Sequence, residues 1–405
     1  MLSYGRQCIT EADIDAVVAV LRGDYLTQGP TIGHFEAAFS RYIGSSHAIA
    51  VANGTAALHL ACSALGLGKG DGAIVPATTF AATSNAVLYG GATPVFADVD
   101  PLSGNLSLKS LEAAYVLATE RGLTVKAVLP VHFAGLPCDM GGIWGFARDH
   151  NISVIEDACH SLGAEYRCRV ADDFAKVGSS PLSTMTVFSF HPVKHITTGE
   201  GGLITTEDKV LSERLQRLRS HGITKDPEQY IAKDRAYDGD TGALNPWYHE
   251  MQELGFNYRL CDIQAALGLS QIARIGEFVS RRRELASLYR KHLGNHRWLE
   301  IPPAEAALQR HSYHLFPVLI DFKSLGKSRR QVMTELGDAG VGTQVHYMPV
   351  QRHPYYEQNR SRWLSTPIPN ADKFYEAELS IPMYPSMTDN DAMKVVDALA
   401  SVLNH

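Results

Sequence analysis

The stretch Phe188-Ser-Phe-His-Pro-Val-Lys194, which runs directly into His195-Ile-Thr-Thr-Gly-Glu-Gly-Gly-Leu-Ile-Thr205, decides the fold of this chain. Apolar residues alternate from Thr184 to Phe190, which predicts a strand that delivers Lys194 into a polar, glycine-rich loop. Most lysines are solvated surface charges. Here Pro192 stiffens the turn, and the glycines allow the backbone to approach a ligand closely. We therefore interpret Lys194 as a lysine that is placed to capture a carbonyl group.

Other short apolar runs alternate with patterns of helix length on the N-terminal side of this stretch. Strands that are apolar almost throughout, separated by helices such as Thr55 to Leu65 and Phe80 to Leu88, indicate a largely parallel sheet covered on both faces. Ligands of such α/β sheets lie at the carboxyl ends of the strands. The predicted strands are His47 to Ala52, Ala73 to Pro76, Thr93 to Val99, Val125 to Phe133, Ile152 to Asp157, Thr184 to Phe190 and Gly202 to Thr206.

A polar segment from Thr224 to Glu253 is rich in Asp, Gly and Tyr and has no clear period, so we predict a long loop near a domain boundary. We expect a large domain over residues 1–255 and a smaller C-terminal α/β domain over residues 256–405. The elements predicted after the loop are a long helix from Asp262 to His292, strands at Leu315 to Asp321 and Thr343 to Tyr347, and helices at Ser328 to Ala339 and Asp389 to Leu403.

The composition excludes several classes of function. The chain has 405 residues, 45% of them hydrophobic, and a net charge of -6, so we expect no nonspecific binding to nucleic acid or to an anionic membrane. No apolar run approaches the ~18 residues of a membrane span, and the first residues lack an apolar signal core. The six cysteines are scattered without a Cys-x-x-Cys pair. The expectation is a soluble, cytoplasmic protein.

Two further motifs could act together with Lys194. Asn53-Gly-Thr-Ala-Ala-Leu58 follows a strand and opens a helix, so the amides of Gly54, Thr55 and Ala56 would form a phosphate site, although small residues at a helix start are also common for packing. Asp157 ends a strand with His160 just beyond it, and a buried acid is costly unless it meets a cation such as a protonated pyridine nitrogen.

Alone, Asp157 is equally consistent with a helix cap. A phosphate cradle, a carboxylate and a lysine together fit pyridoxal 5'-phosphate, which needs all three. A metal site is the competing interpretation, because His191 and His195 are four residues apart. Pro192 and the glycine-rich loop argue against one helix face that presents both, and no carboxylate has metal-ligand spacing. We predict no metal.

From about Tyr4 to its end, the chain resembles the sugar aminotransferases of the DegT/DnrJ/EryC1/StrS family. The resemblance implies a fold-type I pyridoxal phosphate enzyme, with a large, mixed but mostly parallel sheet domain and a smaller C-terminal α/β domain. The motifs that carry it are Leu26-Thr-Gln-Gly-Pro30, Asn53-Gly-Thr-Ala-Ala-Leu58, Glu156-Asp-Ala-Cys-His-Ser161, Ser189-Phe-His-Pro-Val-Lys194, Gly199-Glu-Gly-Gly202, Arg219-Ser-His-Gly222 and Gly255-Phe-Asn-Tyr-Arg-Leu260.

The resemblance implies roles for individual residues. Lys194 is the Schiff-base lysine and Asp157 pairs with the pyridine nitrogen, while Phe80 stacks on the ring and His160, often Gln in the family, lies near the ring hydroxyl. Thr55, Ala56 and Ser189 hold the phosphate, beside Gly54.

The resemblance also implies a homodimer with shared active sites, in which Asn257 of the neighbouring subunit contacts the phosphate and Arg259 supports that loop or the substrate. The candidates for the nucleotide groove are Tyr4, His221, His346 and Tyr347, although such residues are often partly buried for packing alone.

One branch of the family replaces the lysine by His and removes a hydroxyl group, so the retained Lys194 favours transamination. The runs Ser189 to Gly202, Arg259 to Gln271 and Gln344 to Pro349 are similar to the branch that acts at C4 in pseudaminic acid biosynthesis. That branch implies L-glutamate as donor and UDP-2-acetamido-2,6-dideoxy-L-arabino-hexos-4-ulose as acceptor. Alternatives are another nucleotide sugar, such as a dTDP-4-keto-6-deoxyhexose, and a noncatalytic regulatory protein that keeps the fold.

Overall fold

The computed structural model describes residues 1–179, 182–294, 296–304 and 306–404. Its strands are β1 (His47–Val51), β2 (Asp71–Pro76), β3 (Thr93–Ala97), β4 (Thr124–Val128), β5 (Ser153–Asp157), β6 (Glu165–Tyr166), β7 (Ala175–Lys176), β8 (Met185–Ser189), β9 (Gly202–Thr206), β10 (Ile223–Thr224), β11 (Glu250–Met251), β12 (Leu299–Glu300), β13 (Gln309–Arg310), β14 (Phe316–Ile320), β15 (Leu364–Ser365) and β16 (Glu378–Ile381).

Helices alternate with these strands. They are α1 (Glu11–Leu21), α2 (Pro30–Ile43), α3 (Gly54–Ala64), α4 (Ala81–Tyr89), α5 (Leu108–Glu120), α6 (Met140–Asp149), α7 (Lys209–Arg219), α8 (Lys233–Ala236), α9 (Asp262–Ile272), α10 (Ile275–Leu293), α11 (Phe322–Leu325), α12 (Arg329–Asp338), α13 (Pro354–Gln358), α14 (Pro369–Ala377) and α15 (Asp389–Asn404). No helix in the described ranges is long and apolar enough to cross a membrane.

The main sheet has eight strands in the order β1-β9-β8-β5-β4-β2-β3-β15. From β8 to β15 all neighbours are parallel, whereas β9 runs antiparallel to both β8 and β1. The predicted mixed, mostly parallel sheet is therefore confirmed. Because β5 and β8 are parallel neighbours, with Asp157 opposite Val187, their carboxyl ends meet at one edge of the sheet. Asp157 and the loop after Ser189 share that edge.

One edge of the main sheet is closed by side chains. The edge strand β1 exposes the backbone groups of Ala50 on the side away from β9. Oε1 of Glu36 accepts from the Ala50 amide at 2.8 Å, and Nη1 of Arg219 donates to the Ala50 carbonyl at 2.7 Å. Arg219 also bonds to Glu36 at 2.6 Å, which completes a closed ring of hydrogen bonds. The amide of Ala52 donates to the carbonyl of Tyr258 at 2.7 Å.

A second, antiparallel sheet of β12, β14 and β16 forms the C-terminal core with α10, α12 and α15. The strand predicted at Thr343 to Tyr347 is wrong. Gln344 makes an isolated bridge to Ser380. Two residues later the amide of His346 donates to the side chain of Glu378, at 2.7 Å, instead of to a strand backbone. The ladder therefore stops after one pair.

The helix predicted from Asp262 to His292 is interrupted between α9 and α10. Arg274 adopts φ -107° and ψ 4°, outside the helical range. Its guanidinium bonds to Asp13 at 2.5 Å, and the same carboxylate accepts from the Thr10 amide at the start of α1. A long-range ion pair thus fixes the position of the break, which contains neither Gly nor Pro.

The division at residues 255 and 256 stays a prediction. Some elements after residue 256 pack within the first region, because β15 pairs with β3 and α9 packs on α1 and α2. The predicted loop from residue 224 to residue 253 contains only the short elements α8, β10 and β11 and one 3₁₀ turn.

Candidate active site

Asp157 lies at the carboxyl end of β5 and is fixed by two donors. Its side chain is only 5% exposed. Oδ2 accepts from the hydroxyl of Thr83 at 2.7 Å, and Oδ1 accepts from the amide of Cys159 at 3.2 Å. The proton of Thr83 is thereby committed to Asp157, so the contact of 2.8 Å between Thr79 and Thr83 must have Thr79 as its donor. This chain of hydroxyls holds the carboxylate in one orientation.

The preceding residue, Glu156, points to the opposite face of β5 and is structural. Nδ1 of His132 accepts from the Cys138 amide at 3.1 Å, so Nε2 carries the ring proton and donates to Glu156 at 2.7 Å. Burial raises the pKa of Glu156, but the hydrogen bonds from His132, Ser183 and Thr186 outweigh it and leave the pKa below its usual value. Glu156 and Asp157 are adjacent in the sequence. Because side chains alternate between the two faces of a strand, they point to opposite sides of the sheet.

Lys194 follows β8 in a tight turn, in which its amide donates to the carbonyl of His191 at 2.8 Å. The side chain is half-buried, and no residue in the described ranges accepts a hydrogen bond from Nζ. Burial lowers the pKa of Lys194, against the opposing influence of Cys159 and Asp157, which are close enough to act on its charge. A lysine in these surroundings has a larger uncharged, nucleophilic fraction than a solvated one.

The histidines on either side of Lys194 diverge. His191 is exposed, whereas His195 is buried and its Nε2 lies 3.1 Å from the carbonyl oxygen of Ser312. In the part of the chain that the structure describes, no group of three or more His, Cys, Asp or Glu side chains could hold a metal ion.

The start of α3 lies beside Ser189 and Cys159. Asn53 caps the helix, because its Oδ1 accepts from the Ala56 amide at 2.8 Å. The amides of Gly54 and Thr55 have no acceptor among the described residues, as expected for the first turn of a helix. A Cβ at Gly54 would lie 2.9 Å from Cβ of Ser189 and 3.4 Å from Sγ of Cys159. Only glycine lets this helix start approach β8 so closely.

The predicted role of Ala56 needs a change in detail. Its amide was expected to point outward with those of Gly54 and Thr55, but it already serves the Asn53 cap. A phosphate at this helix start would meet two unpaired amides directly, and the Ala56 amide only if it were shared with Asn53. The assignment of Ala56 as a phosphate ligand stays a prediction.

Aromatic and imidazole side chains form a wall beside this edge of the sheet. Nε2 of His160 lies 3.3 Å from the hydroxyl of Tyr347, while Nδ1 is buried with no partner among the described residues. Burial, and then the charge of Lys194, lowers the pKa of His160 well below its usual value. Phe80 is 61% exposed, with its ring centroid 6.1 Å from that of Tyr347. Tyr4 stands 5.5 Å from His346 in the same wall.

The remaining predicted residues lie on a different segment. His221 is exposed with φ 63°, and its amide donates to the carbonyl of Phe256 at 2.8 Å. Asn257 bridges to Ser220, and Nη1 of Arg259 donates to the hydroxyl of Ser220 at 2.9 Å. Within the described ranges, no contact joins the side chains of these three residues to Lys194 or Asp157.

The arrangement agrees with the comparisons to known proteins. The sequence model of the DegT/DnrJ/EryC1/StrS aminotransferase family matches residues 7–400. The chain belongs to this family. The family assignment, the α/β aminotransferase fold and the enzyme class expected from the sequence are thus confirmed, and the interpretation as a noncatalytic regulatory protein loses its basis.

Two named relatives match this chain over its whole length. The UDP-4-amino-4,6-dideoxy-N-acetyl-beta-L-altrosamine transaminase of Campylobacter jejuni is 37% identical over 404 residues, covering 100% of this chain and 98% of the relative. The structure of Helicobacter pylori PseC, an aminotransferase of pseudaminic acid biosynthesis, has a TM-score of 0.84 at 28% identity and covers 100% of this chain and 99% of its own.

A third neighbour bears on the cofactor of this DegT/DnrJ/EryC1/StrS aminotransferase. Spr1654 of Streptococcus pneumoniae, provisionally described as a sugar aminotransferase, has structures in a PLP form and a PMP form. The two match with TM-scores of 0.82 and 0.84 at 25% and 26% identity, covering 100% of this chain and 98% and 99% of theirs.

The residues present fit such a cofactor. The glycine-dependent cradle at Gly54 offers unpaired amides for a phosphate, Asp157 offers a fixed carboxylate, and Lys194 an amine without a partner in the described ranges.

Proposed function

We propose that this aminotransferase transfers the amino group of L-glutamate to C4 of UDP-2-acetamido-2,6-dideoxy-L-arabino-hexos-4-ulose. The product is UDP-4-amino-4,6-dideoxy-N-acetyl-L-altrosamine, an intermediate of pseudaminic acid biosynthesis. The observation that carries the chemistry is Lys194, a half-buried amine of lowered pKa, beside a carboxylate that Thr83 holds in place. The 37% identity to the C. jejuni transaminase over the entire chain supports this choice of sugar.

When bound, pyridoxal phosphate supplies an electron sink for the negative charge that develops beside the transferred nitrogen. Asp157 would keep the pyridine nitrogen protonated, because its carboxylate is fixed and only slightly exposed. Gly54, Thr55, Ala56 and Ser189 would hold the phosphate at the helix start. Phe80 would cover the ring, and His160 would lie near the ring hydroxyl.

Lys194 performs the proton transfers in both halves of the reaction. Its Nζ takes a proton from Cα of L-glutamate in the first half and delivers a proton to C4 of the sugar in the second. The lowered pKa supports the first step, because it raises the fraction of amine that can act as a base near neutral pH. Delivery from one fixed position sets the configuration of the new amine.

The sugar nucleotide would lie against the wall of Tyr4, His346 and Tyr347. The active unit would be a homodimer with shared sites. This view is supported by the separation of His221, Asn257 and Arg259 from Lys194 within one chain, since a second copy could supply them. In this arrangement Asn257 of each subunit would contact the phosphate in the other site.

The test is optical. The purified enzyme is converted to its pyridoxamine form with L-glutamate, and the return of the visible pyridoxal band is recorded after addition of the UDP-linked 4-keto sugar or of dTDP-4-keto-6-deoxyglucose. Return with the UDP sugar alone supports the proposed substrate. Return with the dTDP sugar alone keeps the aminotransferase and replaces the substrate, and no return with either sugar refutes both substrate assignments.

A further inference from the structure

Two side chains of β16, Glu378 and Ser380, form a hydrogen-bonded line with His346, which lies outside the sheet in the active-site wall. Oε1 of Glu378 lies 2.5 Å from the hydroxyl of Ser380, and that hydroxyl lies 2.9 Å from Nδ1 of His346. Oε2 of Glu378 accepts from the backbone amide of His346 at 2.7 Å. Glu378 and Ser380 are fully buried, and His346 is 6% exposed. The imidazole is therefore held at its backbone and at one ring nitrogen.

The other ring nitrogen of His346 faces the cleft. Nε2 has no hydrogen-bond partner among the described residues. It is not fully buried, so it borders open space. Burial, and then the charge of Lys194, lowers the pKa of His346 to about 3. The ring therefore stays neutral near physiological pH, and its only freedom is which nitrogen carries the proton.

The surroundings of Glu378 favour its protonated form. Burial raises the pKa of Glu378 to about 8, against the hydrogen bonds from Ser380 and from the His346 amide and the charge of Arg329. Nη1 of Arg329 donates to the backbone carbonyl of Glu378 at 3.3 Å. The other titratable groups around the line are Lys194, Tyr4, Tyr347 and His160.

We propose that Glu378 and Ser380 are positioning residues that set the tautomer of His346, and so decide whether Nε2 donates or accepts a hydrogen bond toward the bound substrate. The proposal rests on the proposed function only in that the substrate occupies this cleft. The hydrogen-bonded relay from Glu378 through Ser380 to His346 is itself a property of the folded chain.

The two states follow from counting protons. When Glu378 is protonated, its O–H donates to Ser380, the Ser380 hydroxyl donates to Nδ1 of His346, and the ring proton must be on Nε2. When Glu378 is ionised, Ser380 donates to the carboxylate and accepts from Nδ1–H, so Nε2 is a bare acceptor. One proton leaves Glu378 to solvent, and the ring proton changes nitrogen by exchange with water in the cleft.

Solid-state ¹⁵N spectra of the holoenzyme, labelled with ¹⁵N-histidine and sedimented at a series of pH values, measure this directly. His346 is identified among the 17 histidines by the signals that disappear in His346→Gln. Nε2–H is expected below the transition and Nδ1–H above it, with a midpoint at about pH 8. A single His346 tautomer from pH 6.5 to pH 9.5 overturns the proposal.

Two variants separate the relay from a merely structural role. In Glu378→Gln the amide donates to Ser380 and its oxygen accepts from the His346 amide, so Nε2–H is expected at every pH. Ser380→Ala disconnects the ring, and the transition should vanish. Glu300→Gln, an exposed change in the same sheet, should switch as the unmodified protein does. A transition that survives in Glu378→Gln assigns the switch to another group and refutes the relay.

The failure of this proposal is distinguishable from failure of the proposed function. The tautomer is read without turnover, so an enzyme that rejects both keto sugars still reports on the relay. Conversely, an enzyme that aminates the UDP sugar while His346 never switches keeps its function and loses the relay.

Discussion

Thr83 reaches from α4 to the carboxyl end of β5 and donates its hydroxyl proton to Asp157 across 2.7 Å. The donor belongs to a helix and the acceptor to a strand 74 positions away, so the two elements jointly orient the acid. Thr79 in turn donates a hydrogen bond to the hydroxyl oxygen of Thr83, at 2.8 Å. The carboxylate that is assigned to the pyridine nitrogen thus depends on a residue outside every motif quoted from the sequence.

Replacing Thr83 by Val should weaken binding of pyridoxal phosphate. The change keeps the branched shape and removes one hydrogen bond to a charged acceptor, which contributes about 1.5–3 kcal/mol. Titration of the visible absorbance band should show a dissociation constant about 10- to 100-fold higher. Thr83→Ser keeps the hydroxyl and should bind nearly as the unmodified enzyme does. Equal affinity of the Val and Ser variants would contradict a role for this hydrogen bond.

Lys194→Ala should abolish multiple turnover, because Nζ removes the proton from Cα of the donor in the first half of the reaction and delivers a proton to C4 of the sugar in the second. The measurement is 2-oxoglutarate formation over many equivalents of enzyme, with L-glutamate and the UDP-linked keto sugar. Lys209→Ala, which changes a lysine whose side chain is 79% exposed, is the matched control and should leave the rate unchanged. Sustained turnover in the Lys194 variant would refute the assignment.

Gly202→Ala should destabilise the fold. A Cβ at Gly202 would collide with the backbone carbonyl of Asn53, which is fixed as the cap of α3. Overpacking of this kind costs about 1–3 kcal/mol, and rigid backbone leaves little room to relax. Thermal unfolding at constant protein and cofactor concentration should show a lower Tm. Gly276→Ala adds the same methyl group to α10 with nothing within 4 Å, and should not lower the Tm.

Glu378 should make stability fall as the pH rises. Its pKa is about 8 in the folded chain against an ordinary value of 4.5, so the folded state binds the proton more tightly. This contribution is complete below about pH 4.5 and is lost as the pH rises through 8, a change on the order of several kcal/mol. The Tm of Glu378→Gln, relative to the unmodified protein, should therefore rise from pH 5.5 to pH 8.5. A difference independent of pH would show that the carboxyl group does not titrate in this range.

The sequence predicts most of the large sheet because its information is local. Apolar runs and helical periods located every strand from β1 to β5, and β8 and β9, to within a few residues. Parallel pairing then brings the ends of β5 and β8 together without further information, which is why Asp157 and the loop with Lys194 could be expected at one edge.

Long-range partners account for what the sequence could not predict. The helix break at Arg274 depends on Asp13, 261 positions away, and has no local signal. Glu378 and Ser380 are two apart on β16, so they share a face, but nothing local says that His346 meets it from 32 positions away. The strand predicted at Thr343 to Tyr347 failed for the same reason, because a side chain of β16 takes the amide that a strand would have used.

The closed ring of Glu36, Arg219 and Ala50 has a consequence for colloidal behaviour. An edge strand with free amides and carbonyls is a template on which another chain can add a strand, and such addition leads to aggregation. On β1, side chains of the same chain already occupy the outward amide and carbonyl of Ala50, and the Tyr258 carbonyl occupies the next outward amide, at Ala52. At the opposite edge β15 is only two residues long. Both edges of the sheet thus resist edge-to-edge addition of further strands, the step by which fibrils grow.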